Sequence, residues 1–299
     1  MKARAFLFTA EGALRAPWRL LAFLAAAMVA LAITQPAGFM LAGVSLEDAA
    51  PDRLSMPVLL ASSWGMMMAL LIAHLVSVRW IDRRDWSFVG MDYGAARGIP
   101  VARGFLLGAA TIGAPTLLLV ATRWMTVVPA ENGDWLYAAA VVTLIVVPAS
   151  LAEELLFRGY PFAVVSELWG SVAAVALTSI AFGVLHFQNL SLVDGPVHGI
   201  QAIATVILAG VFLGAVRLKS GSLYAVWAAH AAWNWTLAAL LHTEVSGIPF
   251  ASPGYRVVDS GPDWLTGGDW GPEGGAAAAI FMLIALAWLI ARPRRREES

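Results

Sequence analysis

Three groups of residues in this 299-residue chain combine acid, base and hydrogen-bond donor at helical spacing. They are Glu153-Glu154-x-x-x-Arg158, Phe182-x-x-x-His186 and His230-x-x-x-Asn234. Residues four apart share a helix face, so Glu154 falls over Arg158, Phe182 under His186 and His230 beside Asn234. Glu153 lies about 100° round the helix from Glu154. An ion pair with Arg158 would neutralise Glu154 and leave Glu153 as the carboxylate free for chemistry; the opposite division of labour fits the spacing as well. A glutamate and a histidine sharing one water can take its proton and aim the hydroxide at a peptide carbonyl. A second histidine and an asparagine amide can donate to the oxyanion that develops. The set is hydrolytic and uses no protein nucleophile.

The elements that hold these groups are membrane helices. The chain is 60% hydrophobic and 13% charged, with a mean hydropathy of +0.74, whereas a soluble domain runs at about 45–50% apolar and about 25% charged. That much apolar surface does not fit one soluble core. Thirteen tryptophans suit the lipid–water boundary. A spanning helix needs roughly 20 mainly apolar residues, and eight stretches qualify: Trp18–Leu41, Met56–Val78, Gly104–Thr122, Leu136 through the Glu153 region, Ser171–His186, Ile200–Val216, Ser222–Leu241 and Ala276–Ala291. The expected fold is all-α, one polytopic membrane domain over residues 1–299, since helices and closed barrels alone satisfy the backbone in lipid. No repeat or low-complexity tract divides it. The first span is longer than the apolar core of a signal peptide and lacks a small-x-small cleavage site, so it reads as an uncleaved anchor.

Lysine and arginine set the expected orientation. With the N-terminus inside, the inner segments hold Lys2, Arg4, Arg15, Arg19, Arg79, Arg83, Arg84, Arg97, Arg103, Arg158, Arg217, Lys219, Arg292, Arg294, Arg295 and Arg296, while the outer ones hold only Arg53, Arg123 and Arg256. Both termini then lie in the cytoplasm. The inner segment 79–103, with Trp80, Trp86 and Phe88, reads as lying on the anionic leaflet. The outer segment 243–274, rich in Gly, Pro and Asp, reads as an irregular lid or a plain linker. A net charge of −1 invites no nucleic acid. The expected partners are the bilayer and a membrane-associated peptide or protein.

An ionisable side chain at the bilayer centre costs about 2.5–3.5 kcal/mol on insertion scales, so the three groups are functional candidates. If the chain turns near Trp169-Gly170-Ser171, Glu153 and His186 each stand roughly 25 Å from that turn at the helical rise. They would then face each other at one level, with the fourth helix continuing past Arg158 and kinked at Pro161. His230 and Asn234 fall about 14 and 20 Å from the inner start of the seventh helix by the same rise. All four polar groups converge in the inner half of the bilayer.

In family order, these motifs resemble those of the CPBP family, the CAAX proteases and bacteriocin-processing (ABI-type) intramembrane endopeptidases. The resemblance covers roughly residues 136–241. It implies a peptidase whose site opens toward the cytoplasm, with Glu153 as catalytic glutamate, His186 as its water-orienting partner and His230 and Asn234 on the oxyanion side. Glu154, Arg158 and Phe182 support them. Eukaryotic members cut prenylated C-terminal CAAX tails, and bacterial ones are associated with bacteriocin maturation or self-immunity. Seventeen arginines against two lysines, with abundant Ala and Gly, give this chain a bacterial look, hence a bacterial inner membrane.

Each motif also has a plainer reading. Glu153, Glu154 and Arg158 can be an ion pair at a helix end, His186 an interfacial residue, and His230 with Asn234 an interhelical hydrogen-bond pair. His74 reads as packed or bonded to a carbonyl, and His198 and His242 as chemically silent. Trp227, Trp233, Trp235 and Trp288 read as packing or belt residues, and Arg292–Arg296 as a membrane anchor. The absence of cysteine removes thiol catalysis and thiolate metal sites. No HExxH, rhomboid-type serine context or paired intramembrane aspartates occur. No cofactor is expected; the alternative is zinc held by Glu153, His186 and His230, a known type of ligand set. The competing function is a non-catalytic transporter or immunity scaffold that uses the Glu/His cluster to bind an ion or a partner.

Overall fold

In a computed structural model, residues 6–9, 12–45, 55–192 and 196–291 are described. Lys2, Arg4, Arg53 and Arg292–Arg296 lie outside them, as does the His198 side chain. Every apolar stretch is helical: α1 Ala16–Leu41, α2 Met56–His74, α3 Gly98–Ala121, α4 Trp135–Arg158, α5 Tyr160–Leu185, α6 Pro196–Ser220, α7 Leu223–Trp235 and α8 Ala276–Ala291. A π-helical turn extends α2 to Ile81, and another extends α7 to Leu241. The chain is thus a mostly helical, polytopic membrane fold. By length and apolarity five helical stretches qualify as spans, with Trp135–Leu192 taken as one of 58 residues; α8, at 16 residues, is shorter.

The described basic segments gather at one end. Arg19 bonds Asp82 and Glu167, and Arg84 bonds Glu167 from the other side. The Leu223 N–H donates to the Gly90 carbonyl, and the Ser222 hydroxyl to that of Ala95, so segment 79–103 packs on the start of α7. Trp80 stays exposed there. At the opposite end β1 (Met125–Pro129) and β2 (Tyr255–Asp259) form an antiparallel ribbon, Val127 opposite Val257. Segment 243–274 is therefore no plain linker. It carries β2, a helical turn at Asp263–Thr266 and a stretch in which Trp270 and Glu273 are buried.

The fourth helix does not run on past Arg158 as expected. It stops there, Gly159 leaves helical geometry, and Pro161 opens α5 instead of kinking α4. The cause is His74, fully buried on α2: its Nδ1–H donates to the Leu70 carbonyl and its Nε2 accepts the Tyr160 N–H at 2.9 Å. A Cβ on Gly159 would stand 2.2 Å from that Nε2. The expected turn is present at Gly170, whose φ of 83° breaks α5 in two.

Two contacts set the helix that carries His230 and Asn234. Gly104 and Gly108 on α3 let the α7 backbone come so close that a Cβ would lie 2.0 and 1.9 Å from the Ala225 and Ala229 carbonyls, a small-residue packing suited to lipid, where close approach replaces the hydrophobic effect. Tryptophan N–H groups fasten α4. Pro148 has no N–H to offer Leu144, and Trp64 donates to that carbonyl at 2.9 Å. From α7, Trp227 donates to the Val147 carbonyl and Trp235 to the Thr143 hydroxyl. Those two α7 tryptophans bind as well as pack.

Candidate active site

Asp134 and Ser222 cap the starts of α4 and α7 by accepting the Tyr137 and Ala225 N–H groups. The two helices run antiparallel, which brings Glu153 and Glu154 level with His230, and Ser150 level with Asn234.

The neighbouring carboxylates have different surroundings. Glu154 is fully buried, and one of its oxygens accepts from both Arg158 Nη1 (3.2 Å) and His230 Nδ1 (2.8 Å). Arg158, equally buried, sends Nη2 to the Gly210 carbonyl at 3.0 Å, and its guanidinium lies 4.6 Å from the Phe182 ring centre. Arg217 Nε donates to the Arg158 carbonyl, one of the groups left open where α4 ends. Glu153 points the other way, into a cavity, with Oε2 3.7 Å from His230 Nε2 and no hydrogen-bonding partner from the protein.

Phe182 joins the second and third motifs. Its ring is 4.6 Å from that of His186, 5.9 Å from that of His230 and 5.3 Å from Phe157. Its carbonyl is 2.8 Å from His186 Nδ1. A carbonyl only accepts, so that nitrogen carries the proton and Nε2 keeps its lone pair. Likewise Glu154, already accepting from Arg158, takes a proton bond from His230 Nδ1. The ring is thereby fixed with Nε2 beside Glu153. The Asn234 amide gives one N–H to Ser150 Oγ at 3.2 Å and keeps a second.

Glu153, Phe182, His186, His230 and Asn234 all line one cavity of about 360 Å³, within the usual range for a ligand site. Glu154 and Arg158 sit behind this wall. Sequence reasoning missed several of its other members. Gln35, Ser62 and Ser63 come from α1 and α2, Asn189 from the turn after His186, Ser246 and Phe250 from the segment after α7, and Glu273 from before α8. A search for charges in apolar runs passes over uncharged Gln35, Ser62 and Ser63, although a glutamine followed by Pro36 inside a span was a visible signal.

Outside the helices the cavity wall is drawn from the ribbon end, and no residue of the basic end lines it. A cytoplasmic basic end and a cytoplasmic opening therefore do not both fit this lining. Among the described residues no three His, Asp or Glu side chains are grouped to hold a metal ion, Glu153, His186 and His230 included. His74 and His242 are structural: the ring of His242 stacks on Tyr255, and its Nδ1 bonds the Tyr255 carbonyl.

Comparison with curated proteins and with solved structures gives no match. Residues 134–236, about a third of the chain, match the family model described as type II CAAX prenyl endopeptidase Rce1-like. That segment runs from the cap of α4 to the first residue after α7 and contains all three motifs. Over that segment the chain is similar to the Rce1-like proteins of the CPBP family, a family of CAAX-type membrane endopeptidases.

Proposed function

We propose that this protein is an intramembrane endopeptidase that hydrolyses a peptide bond of a membrane-associated substrate, a prenylated tail or a leader peptide, with a water activated by Glu153 and His186. The observation that carries this reading is the shared cavity of Glu153, His186, His230 and Asn234. Glu153 takes a proton from the water while the His186 Nε2 lone pair orients it, and the hydroxide adds to the peptide carbonyl. In this reading His230, between Glu153 and Glu154, carries a proton on both ring nitrogens, so the tetrahedral oxyanion accepts from the Nε2–H of this imidazolium and from the free Asn234 N–H. Glu153 then returns its proton to the leaving amine, the C–N bond breaks, and acid and amine products result. Glu154 and Arg158 hold the His230 ring in register. No step passes through a metal.

Glu153→Gln tests this. It keeps the shape of the side chain and removes the base, so cleavage of a prenylated or membrane-tethered peptide should fall by about 10²- to 10⁴-fold. The melting temperature should stay put, because the Glu153 side chain makes no protein hydrogen bond that the amide would lose. Undiminished cleavage ends the reading and leaves the non-catalytic one. Activity that a chelator abolishes and zinc restores would replace the metal-free version.

All eight helices cross the membrane in this reading, with the basic end in the cytoplasm by the count of lysine and arginine. The substrate then reaches Glu153 from the bilayer or the far face, against the cytoplasmic opening that the family resemblance implies. Because the chain has no cysteine, each introduced thiol is the only one. In intact cells an impermeant maleimide should label Ser252→Cys and spare Arg83→Cys. The reverse pattern inverts the orientation.

A further inference from the structure

Glu273 lies outside the family match and outside every motif in the sequence, yet its carboxylate is built into the cavity wall. It is 8% exposed. Oε2 accepts the Trp233 indole N–H at 2.7 Å, and Oε1 accepts the Ser246 hydroxyl at 2.6 Å. Trp233 stands on α7 between His230 and Asn234. Ser246 begins the stretch to Phe250 that walls the cavity from the ribbon side, and its carbonyl accepts from Asn189 Nδ2 at 3.0 Å. Asn189 comes three residues after His186. One carboxylate thus spans the helix turn with the oxyanion donors, the wall segment and, through Ser246, the turn that follows the water-orienting histidine.

Among the described residues no lysine or arginine pairs with Glu273. Two neutral donors at 2.6–2.7 Å are what hold this buried acid in place. Bonds to a charged acceptor are the strong kind, and losing one partner leaves the other group buried without a bond. A mere packing element would be served by an apolar residue at far lower desolvation cost.

We propose that Glu273 is a positioning residue: it latches the 245–250 wall to the His230–Asn234 turn and so sets how substrate seats against Glu153. The proposal rests on the peptidase reading for its effect on catalysis, while the latch itself is a statement about the wall and can be tested without cleavage. Glutamine keeps both bonds, since its oxygen accepts from Trp233 and its amide donates to the Ser246 oxygen. Alanine keeps neither.

The test uses the full chain in liposomes, with Ile248→Cys as the single thiol on the wall, and reads maleimide labelling of that thiol together with KM and kcat for a membrane-tethered peptide. Adding Glu273→Ala should raise the labelling rate by at least about tenfold, in line with the loss of bonds to a charged group. In the chain without the added thiol, the same change should raise KM more than it lowers kcat. Glu273→Gln should stay within about threefold of the parent in both readouts, the two bonds being retained. If Glu273→Ala does not fold, Ser246→Ala removes one arm of the latch and should still speed labelling. Unchanged labelling with Glu273→Ala or Ser246→Ala overturns the proposal, as does a Gln variant as impaired as the Ala one. A parent chain that cleaves nothing, with labelling that follows these expectations, overturns the peptidase reading and keeps the latch.

Discussion

Two charge clusters tie this bundle, one half open at the basic end and one buried between α4 and α7, and they are finished to different degrees. At the basic end Arg19 bonds Asp82, Glu167 and the Tyr160 hydroxyl, Tyr160 bonds Asp82, and Arg84 closes the ring through Glu167. No side-chain atom of that group is buried without a hydrogen bond. In the α4–α7 cluster Glu153 Oε2, Glu154 Oε2 and Arg158 Nε are all buried without a protein partner. A satisfied network holds helices together; an unsatisfied one in low dielectric raises the free energy of the fold and persists where it performs a task. The first cluster ties helices together, and the second is the one on which the proposed chemistry rests.

The sharpest way to break this contrast is to cut each cluster at its centre. Arg158→Met leaves Glu154 with His230 alone, both deep in the bundle, and should cost about 3–5 kcal/mol of stability, the usual penalty for a buried charge that loses its partner. It should also abolish cleavage, since His230 loses its fixed register. Asp82→Asn leaves Arg19 with Glu167, so about 1.5–3 kcal/mol should be lost, the worth of a hydrogen bond to a charged group. Cleavage should stay within about threefold once both proteins are folded, as neither Asp82 nor its partners Arg19 and Tyr160 line the cavity. Thermal or denaturant unfolding in detergent, paired with a cleavage assay, reads both. Equal loss of activity in the two variants would erase the distinction.

This contrast also marks how far the sequence could be read. The helices were legible because a span must be long and apolar whatever it packs against; the helical end at Leu41 and the helical starts at Met56 and Ala276 agree with the expected ones to the residue. The i,i+4 partners were legible for the same reason, as helix geometry alone puts Glu154 on Arg158 and Phe182 on His186. What failed was local backbone decided from far away. The end of α4 depends on His74, 84 residues before Arg158, taking the N–H of Tyr160, and no pattern near Pro161 announces that. Segment 243–274 failed differently: irregular chain has no period, so nothing separated a lid from a linker or marked Glu273 as an acid turned inward. Gly104-x-x-x-Gly108 was visible as spacing, but only the close pass of α7 gives it meaning.

The smallest expected effect sharpens the comparison from outside the membrane. Glu244, between the end of α7 and the cavity wall, is an acid of intermediate standing, half-buried and close to Asp269, Asp259 and Arg256. Burial pushes its carboxyl above the ordinary value near 4.5, and Asp269 and Asp259 push the same way, against its own backbone N–H and Arg256. The folded chain therefore holds this proton more tightly than the unfolded chain. As pH rises from the unfolded value through the folded one, the unfolded state gives up its proton first and is favoured, so stability falls across that window and is greatest below it. Glu244→Gln cannot ionise and should flatten this segment of the curve, leaving cleavage nearly unchanged when compared at one pH. Melting curves of both proteins across that window decide it. Parallel slopes would mean that Glu244 is as solvated in the fold as out of it, and that burial at the ribbon end is shallower than at either charge cluster.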